Sequence, residues 1–211
     1  MRQYPTVLAA ACMLLAGSLE AQVTGLPTRN AGIPTGLTVG AEVGFPNSDY
    51  GDGSAYGFRG AVGFGNLGIG AIISHFDPEG SADAYNAIGG DLNYKIFGGP
   101  LIPLSVTLQA GAEYADPSGP GTVVHAPIGL GIAVKIPNPN LAITPWIAPR
   151  VDIVRLSGNG SQTNTNFGLS GGIDLNLIFG LGLTLAYDQV WGDNGIKPGV
   201  FGVGANWSFG L

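Results

Sequence analysis

Two imidazoles, His75 and His125, are the histidines available to this 211-residue chain as bases. A nucleophilic hydrolase needs a hydroxyl, an imidazole and a carboxylate converging on one point. Ser74 adjoins His75, but neighbours in an extended strand point to opposite faces, so that pair does not converge. His125 with Asp188 and Asp193 is a conceivable acid–imidazole set, though no motif orders it. Asp49, Asp52, Asp77 and Glu79 are loop acids that could meet Ca²⁺ at a surface. They lack the spacing of a dedicated loop, and a solvated turn is the expected reading. No GxxxxGK[ST] or dinucleotide fingerprint occurs, because the Gly-x-Gly repeats fall inside strand patterns. The residues predict no metal, no cofactor and no catalytic centre. A net charge of -6 with only 8 Lys and Arg argues against a nucleic-acid partner.

A second set of charged residues is far more regular. Glu42, Arg59, Asp91, Lys95, Glu113, Lys135, Arg150, Asp152, Asp174 and Asp188 each sit in an extended pattern, on the face opposite its apolar residues. Mixed acids and bases on one face can pair across a poorly hydrated interior. The elements that must carry them read as strands. At the C-terminus, GVFGVGANWSFGL puts Phe201, Val203, Ala205, Trp207, Phe209 and Leu211 on one face, against Gly202, Gly204, Asn206, Ser208 and Gly210.

The same period of two recurs along the chain. Strands are expected over about 36–45, 54–64, 67–76, 85–96, 104–114, 124–135, 141–154, 165–178, 181–190 and 199–211. Alternation in the seventh sets Trp146 with Thr144, Arg150 and Asp152, but Pro145 and Pro149 make it the least regular, and a bulge at either would turn Trp146 outward. Links after odd strands are polar and longer, including 155–164, whereas those after even strands are mostly short. High mean hydropathy with no long apolar run after residue 21 is what a membrane β-barrel produces. The expected fold is an all-β, transmembrane, antiparallel up-and-down barrel of ten strands, with eight as the runner-up.

Residues 1–21 read as a cleaved signal peptide: Arg2, an apolar run from Val7 to Ala16, and a small-residue site at Leu19-Glu20-Ala21. Cys12 falls in that peptide, so the mature chain has no Cys and no disulfide. Residues 22–35 read as a short periplasmic lead and 36–211 as the barrel. The 37 glycines have two readings. They let a small barrel curve and close, or they line a narrow water path. A mostly plugged interior is the favoured one.

Aromatics are expected at the two membrane interfaces. Trp207, Phe209, Tyr94 and Phe97 would form the periplasmic belt. Tyr56, Phe76, Tyr114, Tyr187 and Trp191 would form the outer one.

On this alternation the chain resembles the small outer-membrane β-barrel proteins of Gram-negative bacteria. Its last strand looks like their assembly signal, carried here by Val203, Ala205, Trp207, Phe209 and Leu211, with Leu in place of the usual final Phe. The resemblance implies an outer-membrane location with both termini periplasmic, and outer-membrane lipids and the barrel-assembly machinery as partners. It leaves function open, since such folds host several roles. The expected role is structural or interactive, with external loops as the contact surface and the lumen closed by paired charges. A narrow, porin-like channel for ions or small solutes is the alternative. A lipid-modifying enzyme or a rim protease is more remote. The oligomeric state is not legible.

Overall fold

The computed structural model describes residues 24–34, 36–80, 83–99, 101–117, 121–158, 160–177, 179–192 and 195–210. The expected signal peptide, Cys12, Gln22, Asp193 and Leu211 lie outside them. Ten strands form among the described residues: β1 Gly36–Pro46, β2 Ser54–Phe64, β3 Leu67–Asp77, β4 Tyr85–Gly99, β5 Ile102–Ala115, β6 Gly121–Val134, β7 Leu141–Gly158, β8 Ser161–Leu177, β9 Leu181–Trp191 and β10 Gly199–Phe209.

Each strand pairs antiparallel with its sequence neighbours, and β1 closes on β10. The closing register runs from Leu37 opposite Phe209 to Pro46 opposite Val200. Closure follows from the medium: hydrocarbon offers no partner to a free N–H or C=O, so a spanning sheet must have no edge. The alternation that drives strand formation also sorts the side chains. Phe58, Ile73, Ile88, Leu185 and Val203 point outward and stay exposed, Phe58 and Ile73 at 55% each. Their neighbours Arg59, Ile72 and Thr184 point inward.

The expected strands form at about the expected places, with three corrections. Residues 155–158 and 161–164 are not loop. β7 and β8 continue into them as a paired ribbon, from Arg155 opposite Thr163 to Ser157 opposite Ser161. The Thr, Ser, Gln and Asn there suit a strand exposed on both faces, which shows no alternation to read. Nor does β7 bulge at its prolines. Its register with β8 is continuous, and Trp146 stays inward, only 3% exposed. The irregularity lies in β4 instead, around Lys95, Phe97 and Gly99.

The third correction is the largest. Residues 24–34 are not a lead lying outside the ring. They run through its centre, and Thr24, Leu26, Thr28 and Asn30 are buried there. At one end of the barrel are the tight β2–β3 turn and the ends of β1 and β10 where the sheet begins and finishes (the turn end). At the other are the β1–β2 and β9–β10 connections (the loop end), tied together by Asn47 N–H to Gly199 O at 2.8 Å and Lys197 N–H to Asp49 Oδ2 at 2.8 Å.

The outward face should tolerate charge poorly. Leu185 of β9 sits opposite Ile173 and Val203 at mid-strand. Leu185→Lys is expected to cost about 2–4 kcal/mol. The measurement is the guanidinium midpoint of the protein in lipid vesicles, compared with Thr184→Ala on the inner face, which should shift it less.

Candidate functional site in the barrel lumen

The lumen is organised around the threaded segment. Thr24 starts at the loop end, where its N–H and hydroxyl both donate to Glu113 Oε1 and its carbonyl accepts from Ser74 Oγ. The Gly25 N–H donates to the Tyr50 hydroxyl at 3.0 Å. Burial, and then the nearby Glu113 carboxylate, push the Tyr50 phenol well above its ordinary value, so it stays protonated. Further down, the Thr28 N–H and hydroxyl donate to Asp188 Oδ2, both at 3.1 Å, and Arg29 Nη2 meets Asp174 Oδ2 at 2.6 Å. Gln109 Nε2 donates to the Arg29 carbonyl at 3.1 Å. Ile33 and Pro34 end the run against Gly63, beside the β2–β3 turn.

Leu26 nucleates an apolar cluster inside the ring with Ala55, Ile72, Phe76, Ala87 and Ala115. Phe76 is therefore corrected: it is 3% exposed and faces inward, not out to an interface. It stands in phase with Gly68 and Ser74 on β3 and packs edge-on to Tyr50 and Tyr85, with centroids 5.9 and 5.5 Å apart. Inward-facing Ile72 and Phe76 have no reason to sit in a wet lumen. That was the sequence signal for a buried apolar partner. Burying a side chain such as Leu26 contributes about 1.5–3 kcal/mol.

Wall glycines make the room. A Cβ at Gly44 would overlap the Gly25 carbonyl, one at Gly57 the Leu26 side chain, one at Gly202 the Pro27 ring, and one at Gly131 the Asn30 amide.

The charged residues gather in three groups. In the largest, Arg150 Nε donates to Asp152 Oδ1 at 2.8 Å, while Nη1 and Nη2 fork onto the two oxygens of Asp188 at 2.8 and 3.0 Å. Ser170 Oγ accepts from Arg150 Nη1 at 2.6 Å. His125 is wedged between two carboxylates, with Nε2 2.8 Å from Asp152 Oδ1 and Nδ1 3.4 Å from Glu113 Oε2. The second group is Arg59, held by Glu42 at 2.8 Å and Asp91 at 3.6 Å. The third is Asp174, which accepts from Arg29 and, at 2.9 Å, from the Thr184 hydroxyl. Lys95 and Lys135 join none of these. They line a vestibule of 390 Å³ at the turn end, together with Arg29, Arg59 and Asn206.

Arg29 and the threaded threonines are lumen residues that alternation did not supply, whereas His125, in phase with Pro127 and Gly129 on the inward face of β6, was legible but left out of the charge set. The ten charges read as inward hold six carboxylates and only four bases. That excess was the available signal for further partners.

His75 faces outward, its Nδ1 3.0 Å from Asn86 Oδ1, and Ser74 faces inward. Tyr94, Phe97, Trp207 and Phe209 point outward near the turn end, and Tyr56, Tyr114, Tyr187 and Trp191 point outward towards the loop end. Val203 and Ala205 share the outward face of β10 with Trp207 and Phe209.

Three outcomes follow from this geometry. Arg150→Ala leaves Asp152 and Asp188 buried without their cation and should cost about 3–5 kcal/mol in guanidinium unfolding. Lys95→Ala should leave the midpoint near its original value. Gly44→Val should eject the threaded segment. The readout is trypsin cleavage after Arg29, which is 80% shielded in the native barrel and should become a rapid cut in the variant.

Residues 9–209 match the family described as "Outer membrane protein beta-barrel domain". No curated protein matches the chain. Among solved structures, the β domain of the Bordetella autotransporter BrkA is similar at 13% identity, over 82% of this chain and 98% of that one, with a TM-score of 0.56. The translocator domain of the autotransporter NalP from Neisseria meningitidis aligns at 14% identity over 97% and 98%, with a TM-score of 0.40. The outer membrane protease OmpT from Escherichia coli aligns at 9% over 83% and 94%, with a TM-score of 0.39. Identities this low speak to fold alone. With nearly its whole length matched, the chain belongs to the outer-membrane β-barrel protein family.

Proposed function

We propose that this protein is a sealed outer-membrane barrel with a structural or interactive role, not an enzyme and not an open pore. The observation that carries this reading is the filled lumen. Residues 24–34 occupy it from the Glu113 level to Gly63, and the Arg150 group closes what remains at the loop end. The two histidines support the absence of catalysis. His125 is enclosed by Asp152 and Glu113, and His75 faces lipid, away from Ser74.

The loop end faces the outside and the turn end the periplasm, as long external loops and short periplasmic turns suggest. The exposed β7–β8 ribbon and the tied β1–β2 and β9–β10 connections then form the contact surface. Outward aromatics towards both strand ends suit interfacial belts, and the outward face of β10 suits recognition by the assembly machinery. A narrow channel is the second reading. It is favoured by the vestibule, which opens the lumen at the turn end.

Conductance in a planar bilayer separates the two. The intact protein is expected to give no stable discrete openings, and a variant lacking 24–34 should open. Discrete openings of the intact protein at the same level as the deletion variant would establish the channel instead.

A further inference from the structure

The turn-end vestibule holds a disproportionate share of the chain's positive charge. The sequence has 8 Lys and Arg against 14 Asp and Glu, yet Arg29, Arg59, Lys95 and Lys135 all line this one cavity of 390 Å³. The carboxylates of its lining are already paired. Asp174 meets Arg29 at 2.6 Å, and Glu42 and Asp91 meet Arg59 at 2.8 and 3.6 Å. The side chains of Lys95 and Lys135 are left with no hydrogen bond or ion pair among the described residues. Both stand on fixed backbone. The Lys95 N–H donates to the Asn66 carbonyl at 2.8 Å, and the Lys135 N–H to the Pro103 carbonyl at 2.7 Å.

Two neutral side chains in the same lining are also unsatisfied. Asn93, only 7% exposed, donates from Nδ2 to Asp91, but its Oδ1 is buried with no partner. Asn206, also 7% exposed, has an amide with no hydrogen-bond partner among the described residues. It stands beside Asn176, where a Cβ at Gly182 would meet both amides. A buried polar group left unpaired is destabilising, and a guest that pairs it recovers that loss. The unmet groups specify the guest. Two ammoniums and an amide NH₂ call for anionic oxygens, and the Asn93 Oδ1 calls for an O–H donor. The volume lies within the range of small-molecule sites, about 300–1,000 Å³.

We propose that the vestibule binds a small hydroxylated anion, a sugar phosphate or a sugar acid, with its charged group held by Lys95 and Lys135 and a hydroxyl donating to Asn93 Oδ1. Residues of the threaded segment, from Arg29 to Pro34, form part of the same lining, so the segment shapes a site as well as filling the lumen. The site is built from inward wall residues and that segment. It therefore stands whether or not the barrel conducts, which the planar-bilayer measurement reads separately.

The test is titration calorimetry of the intact protein in an uncharged detergent at low salt, where screening is least. The probes are glucose 6-phosphate, gluconate, glucose and inorganic phosphate. At least one of the two sugar anions is expected to bind at a single site, more tightly than inorganic phosphate, and glucose to give no binding heat. Lys95→Ala and Lys135→Ala should each weaken that binding about tenfold or more. Lys197→Ala, at an exposed position of the loop end, should leave it unchanged. The unfolding midpoint of each variant reports that the barrel is intact. If neither sugar anion binds the unaltered protein, or if binding survives the loss of both lysines, the proposal is overturned. Glucose or inorganic phosphate binding as tightly as the sugar anions would overturn the assigned ligand class.

Discussion

A sheet in hydrocarbon cannot leave an edge unpaired, and the rest of this structure answers to that condition. Each exposed strand edge in lipid would leave a row of N–H and C=O groups without water. The pairing of β1 with β10, from Leu37–Phe209 to Pro46–Val200, removes the last edge. Once the ring is closed, the outward set is committed to acyl chains and the inward set to a lumen of limited size. A Leu or Phe on the outer face is thereby in its proper solvent, and a carboxylate on the inner face must find a partner within the ring.

Closure creates a second requirement, which is to fill or hydrate the interior. This barrel fills the loop-end half with its own chain. The threaded segment brings an apolar residue, Leu26, to the inward-facing Ile72 and Phe76. It brings hydroxyls and backbone N–H groups to Glu113 and Asp188, and a guanidinium to Asp174. The glycines of the wall are part of the same arrangement, since at Gly44, Gly57, Gly63, Gly131 and Gly202 the segment comes too close for a Cβ. Towards the turn end the filling thins into the vestibule, where Lys95 and Lys135 stand.

The charged groups are what give that filling one register. A buried carboxylate without a partner is costly, and a forked guanidinium satisfies two at fixed geometry. Arg150 does this for Asp152 and Asp188, and the Asp188 oxygen that takes Nη2 also receives Thr28. Sliding the segment along the lumen would therefore break charge-assisted bonds at several levels at once. The network ties wall strands β5 to β9 to the segment and holds the filling in a single arrangement.

Much of this was legible from residue order. A period of two is local, so strand positions, the two faces, and the inward placement of Glu42, Arg59, Asp91, Arg150 and Asp174 follow from alternation and a membrane solvent. Phe76 was misplaced because a strand-end aromatic was read by its type rather than its phase. The β7–β8 ribbon was missed because a strand wetted on both faces has no alternation to show. What only the tertiary structure decided is which inward groups meet, and that residues 24–34 lie among them. Those contacts join positions far apart in the chain, Thr28 to Asp188 and Arg29 to Asp174, and a short polar segment without periodicity carries no local mark of the space it will occupy. Local spacing determines which face a side chain takes; only ring closure, which sets the distance across the lumen, determines what it finds there.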